Sequence, residues 1–271
     1  MSTHMSIYIE SLSSSWREVE ILYQEALANF DKNPAVYNAL CRSITVLIVA
    51  NLEGFLKEVS KALVNDIATV PFSLLPQNIK RQHCTIFLGP ILKTKEYNLR
   101  VKKLIEEFEK YPEYKISNLA FLHGNNNPKS SIIEIYADCF GCSNIFKELR
   151  GSVIDNRVFS GATNKTLRRV YCALGWLLKR KLKNFPYNID ENFLKLEKID
   201  CKEKGLWELF IEKINMHRHG IVHGNEFANN TNHNELEEDI LKTKIFQLAF
   251  IAVVCLNLSI KMPEIKFADQ E

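Results

Sequence analysis

The segment His217-Arg218-His219-Gly220-Ile221-Val222-His223-Gly224-Asn225 gathers three of the chain's seven histidines and an arginine. Helical spacing puts His219 and His223 about 40° apart on one face, while Arg218 lies about 140° from His223 and must reach round on its long side chain. Gly220 weakens the helix between them, which leaves room for departures from ideal geometry. An imidazole in the last turn of a helix feels the negative end of the backbone dipoles, which favours its protonated form and suits it to act as an acid near neutral pH. Arginine offers a planar set of donors to phosphate oxygens. Together these groups suit transesterification of RNA, in which the ribose 2′-hydroxyl attacks the neighbouring phosphate. One histidine and one arginine form a sparse set, and a second copy across a two-fold axis would complete it.

Other chemistries compete for the same residues. His219 and His223 have the i,i+4 spacing of helix-borne zinc ligands, with His217 nearby, but the glutamate that stands between such ligands in a zinc protease is missing. Neither a metal nor a cofactor is expected. Cys139-Phe140-Gly141-Cys142 is a lone Cys-x-x-Cys with no second pair at zinc-ribbon spacing, which reads as structural before redox or zinc. Lys165, Arg168, Arg169, Lys179, Arg180, Lys181 and Lys183 form a basic stretch without an acidic residue, interleaved with Tyr171 and Trp176. Such a face can track an RNA backbone, or be a solvated surface whose last cations complement a helix end.

The elements that must position these residues are helical. Only 10 glycines and 8 prolines occur, apolar residues recur at helical spacing almost throughout, and no strand alternation stands out. A first helix is predicted over 6–30, with Leu12, Trp16, Val19, Tyr23, Ala26 and Phe30 on one stripe. A second, over 35–68, carries a continuous stripe from Leu40 to Ile67. Asn51 and Glu53 lie in or beside that stripe, as polar groups aimed at a site or, for Glu53, as a partner of Lys57 one turn on. Residues 71–163 read as an insertion with helical pieces near 98–111 and 132–140. Asn164 is placed to cap the next helix, and a short helix is predicted over 191–199. The motif helix spans 206–223 with Leu206, Leu209, Phe210, Ile214 and Val222 turned inward, and Gly224-Asn225 stops it. The last helix starts at Asn234 with Glu237 three residues on, a pattern like a capping box.

At this point the chain resembles a known family. Arg218, a polar residue, three further residues and His223, followed by Gly224, is similar to the Arg-x4-6-His motif of the HEPN superfamily. The stretches Leu52-Glu53-Gly54-Phe55 and 167–175 resemble its RiboL-PSP-HEPN branch, so that the likeness covers about 36–66 and 164–260 and leaves 71–163 aside. The resemblance implies an all-α bundle that dimerises through the motif face. It implies a metal-independent endoribonuclease of a toxin–antitoxin or phage-defence system, with RNA as substrate and an antitoxin or defence-system protein as a further partner. Arg218 and His223 are then catalytic and His219 auxiliary, with Glu53 and Asn51 as supporting candidates. Two departures matter. His219 stands where the family most often has Asn or Asp, and the Tyr that closely follows the motif histidine in antitoxin-modified relatives is missing, Asn225 standing two places on. A non-catalytic dimer that binds a nucleotide, RNA or a partner protein is the competing reading.

Composition sets the frame. At 271 residues and 46% hydrophobic, the chain can bury a substantial core without metals or disulfides. A net charge of +3 is too small to mark a nucleic-acid binder, so any RNA affinity must come from a local patch. Seven cysteines scattered through apolar segments suit a reducing, cytoplasmic setting. The apolar run 245–258 is interrupted by Gln247 and Asn257, so that neither a membrane span nor a signal peptide is expected.

Overall fold

The computed structural model describes residues 2–124, 127–189, 203–224 and 232–262. The predicted helix over 191–199 lies outside them. The architecture is all-α, with no strand among the described residues. In chain order the helices are α1 (His4–Ser11), α2 (Arg17–Asn29), α3 (Pro34–Ile67), α4 (Gln77–Leu88), α5 (Lys95–Phe108), α6 (Ser130–Asp138), α7 (Ile145–Leu149), α8 (Val153–Phe159), α9 (Asn164–Lys181), α10 (Leu206–Val222) and α11 (His233–Lys261).

The predicted first helix is divided. A 3-10 turn at Ser14–Trp16 separates α1 from α2. Hydroxyls of Ser11, Ser14 and Ser15 donate to the carbonyls of Tyr8, Ser11 and Leu12, and such local bonds compete with regular helix. The apolar stripe holds across the break from Leu12 through Trp16, Val19 and Tyr23 to Ala26, all buried, but not to Phe30, which lies beyond α2 and is 43% exposed. The fragment α1 is fixed at its start by Asp66, whose carboxylate accepts from the backbone N–H groups of His4 and Met5 and from the Tyr187 hydroxyl. Asn33 caps α3 and Pro34 opens it, the two residues best suited to those positions.

Two helix starts differ from the sequence reading. Thr163, not Asn164, caps α9, its hydroxyl accepting from the Thr166 N–H. The capping box of α11 is Asn232 with Glu235, two residues earlier than the pattern Asn234 with Glu237. Both pairs fit the motif, and tertiary partners choose between them. Glu237 is engaged by Arg168, Asn164 and Tyr23, and is thereby taken from any cap.

At the centre lies α11, with nearly every residue from Leu236 to Leu258 buried, packed by α9, α3, α7 and α2. Two helices, Pro34–Ile67 and His233–Lys261, are long and apolar enough to cross a membrane, and the apolar window of the second is 83% buried inside the protein. Within that core the Trp16 indole donates to Gln247 at 2.9 Å, and Lys244 is held by Glu20. The stretch 71–163 joins the same core. Phe146 stacks on Phe246 of α11 at 6.0 Å, and α6, α7 and α8 pack on α10.

The α4–α5 hairpin and the segment that follows it close over His83, which is surrounded by Phe72, Phe87, Phe108 and Tyr114. Its Nδ1 accepts from the Ser117 N–H at 3.2 Å, which leaves Nε2 to donate to the Tyr114 hydroxyl at 2.8 Å. Burial lowers its pKa from 6.5 to about 4. The unfolded chain therefore binds a proton that the folded one refuses between those values, and stability falls as pH drops from 6.5 towards 4, by roughly 3 kcal/mol at full effect. Replacement of His83 by Gln, which offers one acceptor and donors but cannot ionise, should flatten the pH dependence of urea midpoints in that window. Parallel wild-type and variant profiles would show that His83 does not carry it.

Candidate functional site

The motif helix α10 buries Trp207, Phe210, Ile211 and Ile214, a set at i, i+3, i+4 and i+7 that fixes its rotation. That rotation corrects the sequence reading. Leu206, Leu209 and Val222 are 50%, 48% and 50% exposed, because the Trp207 and Ile211 side chains occupy the core side instead. Met216, 71% exposed, joins them. Seven-residue steps carry Leu209, Met216 and His223 along one line of the helix within about 40°. Leu209 and Met216 are thus an exposed apolar pair on the line that ends at His223, with Lys213 between them.

Charge and amide contacts hold the helix in place. Lys213 pairs with the buried Asp239 of α11 at 3.0 Å, and the Asn215 side chain donates to the Pro128 carbonyl at 3.1 Å. Burial raises the Asp239 carboxyl above the usual carboxylate range, and the cation of Lys213 and the nearby His217 pull it back. His217 therefore faces α11 and stands apart from the other two imidazoles.

The helix ends as the glycine suggests. His223 is the cap residue, its N–H bonded to the His219 carbonyl at 3.0 Å, and Gly224 takes φ +69°, the left-handed region that terminates helices. This brings the exposed rings of His219 and His223 side by side, with centroids 4.2 Å apart and planes at 48°. Arg218 is half-buried and, among the described residues, has no hydrogen-bond or ion-pair partner. An imidazole pair can move protons, and a guanidinium with its donors free can bind an anion once its long side chain reaches round the helix.

The other predicted residues fall elsewhere. Glu53 pairs with Lys57 at 3.0 Å, and Asn51 donates to the Leu47 carbonyl one turn back while lining a surface cleft with Tyr8, Ser15 and Glu58. Neither hydrogen-bonds to Arg218, His219 or His223. On α9, Arg168 is held by Glu237 and Lys179 by Glu10, whereas Arg180 lies over the Trp176 ring, its guanidinium carbon 4.6 Å from the centroid. Lys165 and Arg169 are exposed, and Lys181, at the end of the helix, is half-buried. Cys139 and Cys142 are buried thiols pushed up to about 12 by desolvation, with Cys139 Sγ 3.0 Å from His123 Nε2. Among the described residues no group of three or more His, Cys, Asp or Glu converges as a metal site would require. The outward apolar residues of α10 were missed in the sequence, whereas Trp176, read there as interleaved with the basic stretch, does face out. The signal for the α10 residues was there, in apolar residues left over once Trp207, Phe210, Ile211 and Ile214 are assigned to the core.

Removing the Lys213 cation leaves Asp239 buried with less compensation. Lys213→Ala should cost roughly 2 kcal/mol at pH 7 and less at pH 4.5, where Asp239 is closer to neutral. Chemical denaturation at the two pH values checks this, and equal midpoints at pH 7 would mean that the apolar face alone seats α10.

A family model described as RiboL-PSP-HEPN matches residues 12–169. The match runs through 71–163, the stretch that the sequence resemblance leaves aside, and ends within α9, before Arg218. No curated protein and no solved structure matches the chain.

Proposed function

Because this chain belongs to the RiboL-PSP-HEPN family, we propose that it is a metal-independent endoribonuclease that works as a homodimer through the outer face of α10. Family membership alone points to an RNase or nucleotide-related function in general. The observation that supports the finer reading is the pairing of two exposed imidazoles at the end of one helix, with Arg218 next to His219 in sequence and without a partner among the described residues.

In this reading the 2′-hydroxyl of a ribose attacks the adjacent phosphorus while a base takes its proton. The bond to the 5′-oxygen of the next nucleotide breaks, and an acid returns a proton to that leaving group. His223 serves as proton-transfer group, Arg218 stabilises the charge that builds on the phosphoryl oxygens, and His219 orients the neighbouring ring. The two proton transfers need groups on opposite sides of the phosphate. A second protomer supplies the other His223 when the stripes of Leu209 and Met216 pack across a two-fold axis. The products are a 2′,3′-cyclic phosphate and a 5′-hydroxyl. The biological setting that fits is a cytoplasmic toxin or phage-defence effector with an antitoxin or defence-system partner.

Purified protein incubated with single-stranded and structured RNAs in EDTA should cut RNA, and His223→Ala or Arg218→Ala should reduce the rate at least a hundredfold with the fold intact. A 5′-phosphate product or a requirement for a divalent ion would sink the mechanism. RNA binding without cleavage would move the site to a non-catalytic module.

The interface has its own check. Leu209→Asp with Met216→Asp should convert the dimer to a monomer in light scattering while circular dichroism is unchanged, since both side chains face solvent in the protomer. A dimer that survives both charges lies on another face.

A further inference from the structure

The basic stretch of α9 divides into two sets once the helix is folded. Arg168 and Lys179 lean toward α11 and α1, where Glu237 and Glu10 hold them. Lys165, Arg169, Trp176 and Arg180 instead fall within about 60° of one another around the helix axis, and all four are exposed. Among the described residues neither Lys165 nor Arg169 has an acidic partner, and Arg180 has only the Trp176 ring. This ridge faces away from the core, since Leu167, Leu174 and Leu178 form the buried side of the helix.

Trp176 is out of place in such a setting. The other two tryptophans of the chain, Trp16 and Trp207, are 0% and 1% exposed, whereas Trp176 is 60% exposed and contributes little to the core. Beside it along the ridge stand Cys172 and Ala173, both small and exposed, which leave the approach to the ring open. Arg180 lies against the indole and adds a cation to the platform. An indole set in a line of unpaired cations presents a stacking surface and a phosphate track together, the combination by which single strands are held without sequence readout. From Lys165 to Arg180 the ridge is about 22 Å long. That suits a short single-stranded site on the order of 4 nucleotides.

We propose that the outward ridge of α9 binds single-stranded RNA, with a base stacked on Trp176 and the phosphates beside it neutralised by Lys165, Arg169 and Arg180. The inference rests on the reading of the chain as an RNA-directed protein, and names where the strand lies outside the Arg218–His223 site. The ridge is a separate element from α10, and the two helices turn different faces to the core. Its contribution is therefore to substrate capture, and Trp176 is a binding residue, not a catalytic one.

Binding can be measured without cleavage. In the His223→Ala protein, titration with a 12-nucleotide oligoadenylate should quench the exposed Trp176 emission while the buried Trp16 and Trp207 stay unaffected. Trp176→Ala should weaken binding about tenfold or more, with Trp176→Phe recovering part of the loss. Arg169→Ala with Arg180→Ala should lower the slope of log K against log salt by about 1.4, the contribution of two single-strand phosphate contacts. No emission change at saturating RNA, no measurable binding, or unchanged affinity in Trp176→Ala each overturns the ridge. The two readings separate in the wild-type protein. RNA that quenches Trp176 but is never cut keeps the ridge and removes the endoribonuclease. RNA that is cut with the same kcat/KM by wild type and Trp176→Ala does the reverse.

Discussion

Burial of α11 on every side is the constraint from which the rest of this structure follows. A helix with Ile245, Phe246, Leu248, Phe250, Ile251, Val253 and Val254 all inside cannot spare a face for solvent, so other helices must cover it all the way round. α9, α3, α2 and α7 do so. The polar groups that enter this core are met individually, Gln247 by the Trp16 indole and Lys244 by Glu20, in keeping with the high cost of an unpaired charge in a dry interior. The stretch 71–163 belongs to that covering layer through Phe146 and its stack on Phe246, and the family match runs through it.

The motif helix inherits its orientation from the same core. Trp207, Phe210, Ile211 and Ile214 take the inward side, and Lys213 reaches the buried Asp239 at the head of α11. Once those contacts set the rotation, Leu209, Met216, His219 and His223 have no choice but to face out. Leu209 and Met216 are thereby left facing water opposite the packed side of the helix. The two imidazoles stand at the end of this helix, which Gly224 closes with a left-handed residue.

Electrostatics sorts the cations of α9 by position and not by sequence order. Arg168 is drawn into the cluster of Glu237, Asn164 and Tyr23, where burial and the Glu237 carboxylate push the Tyr23 phenol up to about 12. Lys165, Arg169 and Arg180, on the neighbouring flank, meet no acid among the described residues. Within a run that reads as one basic block in the sequence, Arg168 and Lys179 are held by acids, while Lys165, Arg169 and Arg180 flank the exposed Trp176.

The sequence by itself determined the helical class, the long stripe of α3, the glycine stop after His223 and the concentration of histidine and arginine at one helix end. Each is a local property, set by periodicity or by the backbone preference of one residue. It also contained the pairing of Glu53 with Lys57, because partners one helical turn apart are written into the chain. Only the tertiary structure decided which of two equivalent capping boxes starts α11, since Asn232 with Glu235 and Asn234 with Glu237 are alike until Arg168 claims Glu237. It alone split the first helix at its serines, where side-chain bonds to backbone carbonyls accompany the turn to Trp16. It alone turned Leu206, Leu209 and Val222 outward, since a helix apolar on more than one side has several rotations that bury similar area. The choice among them was made by the neighbours of α10, and those neighbours come from parts of the chain distant in sequence.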